Sequence, residues 1–361
     1  MAVTTAGTVA EINATTVEDL ETQIEDQTRP DNIWWFKFVQ ERGWKKLKQG
    51  SHVLSHSLIV DTMDDQIVDY HPDNVNLSFT KKNIIDKGKW YWKYSTGLNV
   101  YGELELKENK GKTKRVEMIK THSDALNVAF RRRMIAQIFG CKTYADVWNE
   151  DDDTVAGVFT DATDGEISTT DTNSLRMIGL PVIVSTTKNY AGLNPSTVTT
   201  WKARSGATWS VAAVSDITLP AVASWITNCV DGNAKDKIIG LRPLAYQYFC
   251  KLLYPNQRYG DNKELTKVGF TSMEFNGVSF VPSWDVPNGS AQLIDTKFIE
   301  LFFDPSAALS AGEVSYIPEN KEWVAEVNSM CFLRCLRRKF THGRATGNGL
   351  LDSNIAAALV A

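Results

Sequence analysis

The chain has 361 residues, a length that allows two or three domains and a sizeable core. Hydrophobic residues make up 43 % and charged residues 23 %, the usual balance of a globular protein. The formal net charge of −4 argues against bulk binding to nucleic acid, which needs an excess of Lys and Arg, but leaves room for local basic patches.

The cysteines and the N-terminus carry no sign of export. Five cysteines, an odd number at scattered positions, do not form a disulfide framework. Cys331 and Cys335 have C-x3-C spacing without a second pair, so we expect buried thiols on one face of a strand and no zinc site. The N-terminus lacks the pattern of a signal peptide, and no apolar run approaches the ~20 residues of a membrane span. A reducing cytoplasm is the expected place of synthesis.

The first 48 residues divide into a polar part and an aromatic part. Residues 16–27, TVEDLETQIEDQ, look like a capped, acidic short helix, but a segment this polar cannot build a core alone. It is either disordered or an arm that lies on another surface, and Pro30 closes it. Residues 31–48 are dense in Trp and Phe, which predicts packing on a core or on a neighbouring chain.

Residues 50–111 are expected to be mostly β. Two alternating stretches, SHVLSHSLIV and WYWKYSTGLNVYGELEL, flank a long polar tip, which predicts a hairpin-like projection resting on another surface. His52 and His56 have the i,i+4 spacing of a zinc-protease helix. Val53 stands where the general-base Glu would be, so we interpret this pair as structural residues of a strand.

Residues 113–140 form the longest helical pattern of the chain. They contain no proline, end at Gly140 and would span roughly 35–40 Å. Such a rod is typical of a spine between two unlike parts, although a long surface helix of an ordinary enzyme fits the pattern equally well. Residues spaced by three or four line one predicted face: Val116, Ile119, Ser123, Leu126, Phe130, Met134 and Ile138.

An acidic stretch follows the helix and is interpreted as a solvated loop. It lacks the spacing of an EF-hand, so a calcium site is the less favoured interpretation of its carboxylates, which are Asp151, Asp152, Asp153, Asp161, Asp164 and Glu166. Residues 179–185, GLPVIVS, predict a buried strand.

The remaining chain alternates between α and β patterns. A helix near residues 219–230, the strand KIIGL and a helix opened by Pro243 form an α/β unit. Asn276-Gly277 predicts a hairpin, and AQLIDTKFIELFF predicts one long strand after it. Residues 323–340 predict a late strand whose end carries a basic cluster of Arg334, Arg337, Arg338 and Lys339.

We find no catalytic constellation in the sequence. The dinucleotide, Walker, nucleophile-elbow and zinc-protease motifs are absent, and the five histidines lie in unlike contexts. We therefore predict a protein that is not an enzyme, and name no catalytic, cofactor-binding or metal-binding residue. Projections that are not stable alone imply neighbouring copies, as in the subunit of a closed shell or ring.

In this order, the features resemble the tailed-bacteriophage major capsid proteins with the Hong Kong 97 phage fold, over about residues 50–347. KWYWKYSTGLNVYGELELKENKGKTKRVEMI resembles that family's extended loop running into its spine helix. RMIGLPVIVSTT and LNPSTVTTWKARSGATW resemble the crossing into the axial domain. VGFTSMEFNGVSFVPSWDVPNGSAQLIDTKFIEL is similar to the hairpin and following strand, and EVNSMCFLRCLRRKFTHGRATG to the late peripheral strand and C-terminus.

The resemblance implies an α+β capsid fold with six parts. These are an N-terminal arm and lead-in (1–49), an extended loop (50–112), a peripheral domain with the spine helix (113–180), an axial α/β domain (181–319), a peripheral strand (320–341) and a C-terminal tail (342–361). The implied function is self-assembly, as hexamers and pentamers, into an icosahedral shell around double-stranded DNA.

The resemblance also implies partners and a location. We expect a separate scaffold protein, because the polar N-terminus is short for a built-in one, together with a portal and in some cases a decoration protein. No membrane contact, cofactor or sequence-specific DNA binding is expected. The shell belongs to the virion and is assembled in the host cytoplasm. Some family members cross-link Lys to Asn; we expect none here, although Lys81, Lys82, Lys87 and Lys89 lie near the loop tip.

Two further interpretations stay open. The basic clusters at Arg131–Arg133 and at residues 334–339 are expected to pair with acidic neighbours such as Asp151–Asp153. The nearest rival function is that of an encapsulin, a nanocompartment shell of the same fold. An α/β enzyme or a carbohydrate-binding β protein is the alternative from a different class.

Overall fold

The computed structural model describes residues 34, 45–46, 53–59, 84–103, 118–141, 177–230, 234, 236–253, 273–311 and 315–360. The predicted acidic arm, most of the aromatic lead-in, the loop tip and the acidic loop at 151–166 lie outside these residues and stay predictions. None of the described helices is long and apolar enough to cross a membrane.

The described elements alternate between strands and helices. The strands are β1 (Lys45–Lys46), β2 (Val53–Ile59), β3 (Ile85–Tyr91), β4 (Lys93–Gly102), β5 (Thr208–Ser210), β6 (Lys237–Leu241), β7 (Met273–Phe275), β8 (Val278–Pro282), β9 (Ser290–Asp295), β10 (Ile299–Ala311), β11 (Ser315–Ile317), β12 (Glu322–Cys335) and β13 (Gly343–Thr346). The α-helices are α1 (Met118–Ile138), α2 (Leu180–Ile183), α3 (Leu219–Cys229), α4 (Pro243–Leu253) and α5 (Asp352–Val360). Three 3₁₀ turns span Thr199–Trp201, Val214–Asp216 and Asn348–Leu350.

The predicted hairpin-like projection is confirmed at its base. Strands β2 and β3 pair antiparallel from Val53↔Tyr91 to Ile59↔Ile85 and form a sheet of their own. The second predicted strand is not continuous, because the chain breaks at Trp92 and continues as β4 in a different sheet. Trp92 is buried against Phe332, with ring centroids 4.7 Å apart, and this contact holds the chain at the break.

The first sheet has five strands centred on β12. Strand β4 pairs along one edge of β12, whereas β10 and β11 follow each other along the opposite edge and β1 pairs with β10. Helix α1 packs on one face of this sheet. Gly97 of β4 lies directly beneath it, because a Cβ there would stand 2.7 Å from the Phe130 ring.

Helix α1 confirms the predicted spine helix over its described part. Phe130, Met134 and Ile138 of the predicted face are buried, and Leu126 packs against the same core. Gly140, at φ +82°, follows the last turn in the left-handed conformation that glycine adopts without strain. The helix therefore ends where the sequence indicated.

The prediction of a buried strand at residues 179–185 is wrong. The segment is buried, but it forms the short helix α2, with Pro181 in the first turn, where its missing N–H costs nothing. The Arg338 guanidinium donates hydrogen bonds to the carbonyls of Val182, Ile183 and Ser185 at the end of this helix, and to that of Lys188 beyond it. These carbonyls are therefore satisfied by a side chain and not by a neighbouring strand.

The second sheet has six strands in the order β5-β13-β9-β6-β8-β7. It confirms three predictions: α3, the buried strand β6 and α4 follow one another, with Pro220 and Pro243 in the first turns of their helices. Strands β7 and β8 are joined by Asn276 and Gly277, both at positive φ, as in a type I′ turn.

The single long strand predicted for AQLIDTKFIELFF is divided between the two sheets. A turn at residues 296–298 separates β9 from β10, and the Asp295 carboxylate accepts a hydrogen bond from the Lys297 N–H within it. Strand β10 then pairs with β12 in the first sheet, so residues 299–317 do not belong with the axial range expected for 181–319.

The C-terminal predictions need two corrections. Strand β12 ends at Cys335, not at residue 340, because the chain turns to bury Arg338 and Thr341. Residues 343–360 are not a tail. Strand β13 lies between β5 and β9, and Ile355 of α5 is buried in the core of the second sheet.

Candidate assembly surfaces

The described part of the β2–β3 hairpin ends in an exposed apolar pair. Ile59 is 78 % exposed and Ile85 54 % exposed, and the two residues lie directly opposite each other in the register. Cross-strand neighbours of this kind form one continuous patch. The pair lies at the end of the hairpin farthest from its attachment at Tyr91, which places apolar surface where another molecule can cover it.

Tyr190 anchors the base of the hairpin to the first sheet. Its hydroxyl accepts hydrogen bonds from the Trp90 Nε1–H at 3.1 Å and the Cys335 N–H at 2.8 Å, and it donates to the Leu333 carbonyl at 3.2 Å. A second bond runs from the Lys89 N–H to the Ala191 carbonyl at 2.8 Å. Because Tyr190 and Trp90 are buried, these bonds fix the direction of the projection.

The outer face of the first sheet is an exposed apolar surface. Alternate residues of a strand share a face, and on β4 the residues Tyr94, Leu98 and Val100 are 60 %, 57 % and 50 % exposed. Ile317 of β11 lies on the same face, since the register aligns it with Glu322 and Gly102. We call these four residues the outer patch. Several large apolar side chains exposed on one face of a folded subunit indicate an interaction site.

The two basic clusters differ in their surroundings. On α1, Arg131 and Arg133 are exposed and Arg132 is half-buried. In the second cluster, Arg334 forms an ion pair with Glu300 inside the sheet, and buried Arg338 donates to the carbonyls that end α2. The expected pairing with acidic residues is therefore confirmed for Arg334, whose partner is Glu300, and wrong for Arg338, whose partners are backbone carbonyls.

A buried polar network joins the two sheets. The Lys237 ammonium forms an ion pair with Asp295 at 2.9 Å and donates to the Phe340 carbonyl at 3.0 Å. The His342 Nδ1 accepts from the Asp295 N–H at 3.1 Å, and its Nε2 lies 3.4 Å from the Cys335 sulfur. The network spans the turn from β9 to β10 and the connection from β12 to β13, which are two of the places where the chain crosses between these sheets.

The pKa values of the buried His342 and Cys335 side chains are shifted in the directions that disfavour acid–base and nucleophilic chemistry near pH 7. Burial, with the Lys237 and Arg338 charges, lowers the pKa of His342 to about 3, so the imidazole is neutral near pH 7. Burial raises the pKa of the Cys335 and Cys331 thiols to about 12, which leaves almost no thiolate. These groups are structural in the folded subunit.

The other residues considered as site candidates are not brought together. Cys331 and Cys335 share a face of β12 as predicted, while His56 is exposed on β2 and His52 lies outside the described residues. Within the part of the chain that the structure covers, no three His, Cys, Asp or Glu residues converge as metal ligands would. The roles of Tyr190, Asp295 and Arg338 depend on contacts with residues far away in the sequence, so no local sequence motif indicates them.

No protein-family model and no curated protein matches the chain. Solved structures of other proteins match the chain. The capsid asymmetric unit of cyanophage A-1(L) matches with a TM-score of 0.57 and 12 % identity, over 92 % of this chain and 98 % of that one. The capsid of Myoviridae phage XM1 matches with a TM-score of 0.54 and 10 % identity, over 92 % and 97 % of the two chains.

An encapsulin from Synechococcus elongatus, solved as its holo complex, has a TM-score of 0.52 and 11 % identity and covers 98 % of both chains. These likenesses extend over nearly the whole chain. They show that the chain has the Hong Kong 97-like fold of phage capsid subunits, a mixed α and β architecture.

Proposed function

We propose that this chain is the structural subunit of a tailed-phage capsid, forming hexamers and pentamers of an icosahedral shell around double-stranded DNA. The observation that carries the proposal is the fold, shared over nearly the full length with subunits of such shells. The exposed hairpin end and the outer patch support it, because they provide two separate apolar surfaces on one subunit. The protein acts by assembly and has no catalytic role.

The extended loop lies on an adjacent subunit. Its described base is a two-stranded hairpin, which is marginal in water unless it rests on another surface. The loop tip beyond the apolar pair meets a neighbour, and that neighbour's loop meets the next subunit, so the contact closes around a ring. The domain parts inferred from the sequence belong to the same proposal, with residues 299–317 moved to the peripheral part.

Further partners follow from the same role. A separate scaffold protein guides assembly, a portal occupies one vertex and a decoration protein is a further candidate partner. The DNA is enclosed without sequence-specific contact, in keeping with the net charge of −4. Assembly takes place in the host cytoplasm, and the finished shell is part of the virion.

The encapsulin likeness makes a nanocompartment shell the second candidate function. The contents of purified particles separate the two. A capsid produced in infected cells holds nuclease-resistant double-stranded DNA, whereas a nanocompartment holds protein cargo. Particles that contain an enzyme and no DNA would reject the capsid assignment and support the second candidate.

Assembly itself is tested at the outer patch. In the Leu98→Lys/Val100→Lys variant, charges replace apolar groups that assembly buries, so we expect at least a ~10-fold lower assembled fraction in sedimentation velocity. The matched control is Leu98→Ile/Val100→Ile, which keeps the face apolar and should assemble as the parent does. Equal assembly of the Lys variant and the control would reject the outer patch as an interface.

A further inference from the structure

A cavity of about 230 Å³ lies between helix α1 and the edge of the first sheet. Phe130 and Met134 of α1, Met177 and Cys331 line it, and all four are buried. Strand β4, which pairs only with β12 among the described strands, forms the adjoining wall. A space of this size accommodates one or two apolar side chains, and its lining would bind them by burial.

Two cations flank this apolar lining. Lys93 and Arg133 both contribute to the cavity wall. Arg133 is exposed and forms no ion pair or hydrogen bond with any residue that the structure describes. An apolar lining beside cations selects a ligand in which apolar side chains alternate with carboxylates, which is the chemistry of an acidic amphipathic peptide.

The chain itself contains such a peptide in residues 16–27. Val17, Leu20 and Ile24 are spaced by three and four, the pattern of one apolar helix face. Five carboxylates surround them, and the first 28 residues contain no Lys or Arg. The carboxylates are Glu18, Asp19, Glu21, Glu25 and Asp26. Charge and periodicity both fit the cavity.

The reach of the chain also fits. Trp34 packs edge-on against Phe139, with ring centroids 5.3 Å apart, at the C-terminal end of α1. From Phe139 back to Phe130 is about 13.5 Å along the helix at 1.5 Å per residue. Ile24 precedes Trp34 by ten residues, a length that spans up to ~33–36 Å when extended. The segment therefore reaches the cavity of its own subunit.

We propose that residues 16–27 dock in this cavity of the same chain, with Leu20 and Ile24 on the apolar lining and the carboxylates beside Lys93 and Arg133. The docked segment covers apolar surface next to the spine helix and adds an acidic strip to a basic helix face. This inference does not depend on the shell function, because it concerns a contact within one subunit.

A thiol introduced by Gln137→Cys reports the occupancy of the cavity. Gln137 lines the space and is half-buried, whereas Cys229 and Cys335 are buried elsewhere and respond only to wider opening. Full-length protein that carries Gln137→Cys is treated with iodoacetamide, and the modification of each cysteine is followed by mass spectrometry. We expect Leu20→Asp/Ile24→Asp to raise the rate at position 137 at least ~5-fold, with no change at Cys229 and Cys335.

The matched control is Ile12→Asp, which adds a carboxylate to the same arm outside the segment and should leave the rate at position 137 as in the Gln137→Cys protein. An unchanged rate in the Leu20→Asp/Ile24→Asp variant would overturn the proposal. The proposal also fails if protection at position 137 rises with protein concentration, because the occupant would then come from a second copy. Protection that is equal across a dilution series supports docking within one chain.

Charge reversal in the cavity wall tests the proposed contact independently of changes in the segment. Arg133→Glu replaces a cation of the cavity wall with a carboxylate that repels the acidic segment, so it should raise the rate at position 137 of the Gln137→Cys protein. Arg131→Glu, two residues away and outside the lining, should not. Equal rates for these two variants would remove the electrostatic part of the proposal.

Discussion

At the scale of single residues, buried polar side chains hold the subunit together at places that no local pattern marks. Tyr190 uses its hydroxyl three times, as acceptor from Trp90 and Cys335 and as donor to Leu333. Arg338, which the sequence predicts to pair with acidic neighbours as part of a basic cluster, is instead the C-terminal cap of α2. Its partners lie about 150 residues earlier, beyond the reach of periodicity.

Replacement of Tyr190 by Phe should destabilise the subunit. The variant leaves the Trp90 and Cys335 N–H groups buried without an acceptor, which costs about 2–4 kcal/mol. The free energy of unfolding from urea titration measures the effect. The control is Tyr316→Phe, which removes an exposed bond to Glu103 and should cost less than about 0.5 kcal/mol. Equal losses in the two variants would contradict the anchoring role of Tyr190.

His342 should make the subunit sensitive to acid. Its pKa is about 3 in the fold and about 6.5 when unfolded, so between these values only the unfolded chain binds the proton. This contribution to stability is complete above pH 6.5 and is lost as the pH falls toward 3, by up to ~1.4 kcal/mol per pH unit. Asp295, Lys237, Arg338 and Cys335 surround the ring and lie on both sheets.

The His342→Asn variant tests this dependence. Asn does not titrate, and its side-chain oxygen can accept the Asp295 N–H, so its stability should fall less steeply from pH 6.5 to 4 than that of the parent. Unfolding titrations at four or five pH values give the slopes. Parallel curves for the parent and His342→Asn would contradict the buried, neutral assignment.

At the scale of elements, those with local signals could be predicted from sequence. Helices α1, α3 and α4 carry apolar faces with proline or glycine at their ends, and the β7–β8 turn carries Asn276-Gly277. The breaks at Trp92 and at residues 296–298 could not be predicted, because alternation continues through both. Helix α2 was missed because a short apolar run fits a strand and a buried helix turn equally well.

Shortening the loop of the β2–β3 hairpin tests assembly without disturbing the fold of the subunit. We propose a shortened loop in which residues 60–84 are replaced by Asn-Gly, so that the paired residues Ile59 and Ile85 flank a type I′ turn. A deletion that extended to residue 89 would instead remove most of β3, including the bond from Lys89 to Ala191.

The shortened loop should leave the fold intact and reduce assembly. Strands β2 and β3 keep their register and their anchor at Tyr190, so the free energy of unfolding should stay within about 1 kcal/mol of the parent. Assembly should fall because the loop tip can no longer reach a neighbouring subunit. Sedimentation velocity gives the assembled fraction. Normal shells from a well-folded variant would contradict the role of the extended loop.

At the scale of the whole molecule, the order of features along the chain predicted the fold before any single contact was known. The division of strands between the sheets was beyond that prediction. The chain leaves the second sheet after β9 and returns to it at β13, and the Lys237–Asp295–His342 network joins the two sheets at these crossings. Long-range pairing of this kind depends on tertiary packing, which overrides local pattern.

The central claim is that copies of this chain assemble into a closed shell. The most direct measurement is the size of the purified full-length protein, by light scattering and negative-stain electron microscopy, alone and after co-expression with the proteins encoded beside it. We predict hollow, closed particles tens of nanometres across, built from rings of six and five subunits. A protein that stays monomeric at every concentration and salt tested, with and without those co-expressed proteins, would contradict the account.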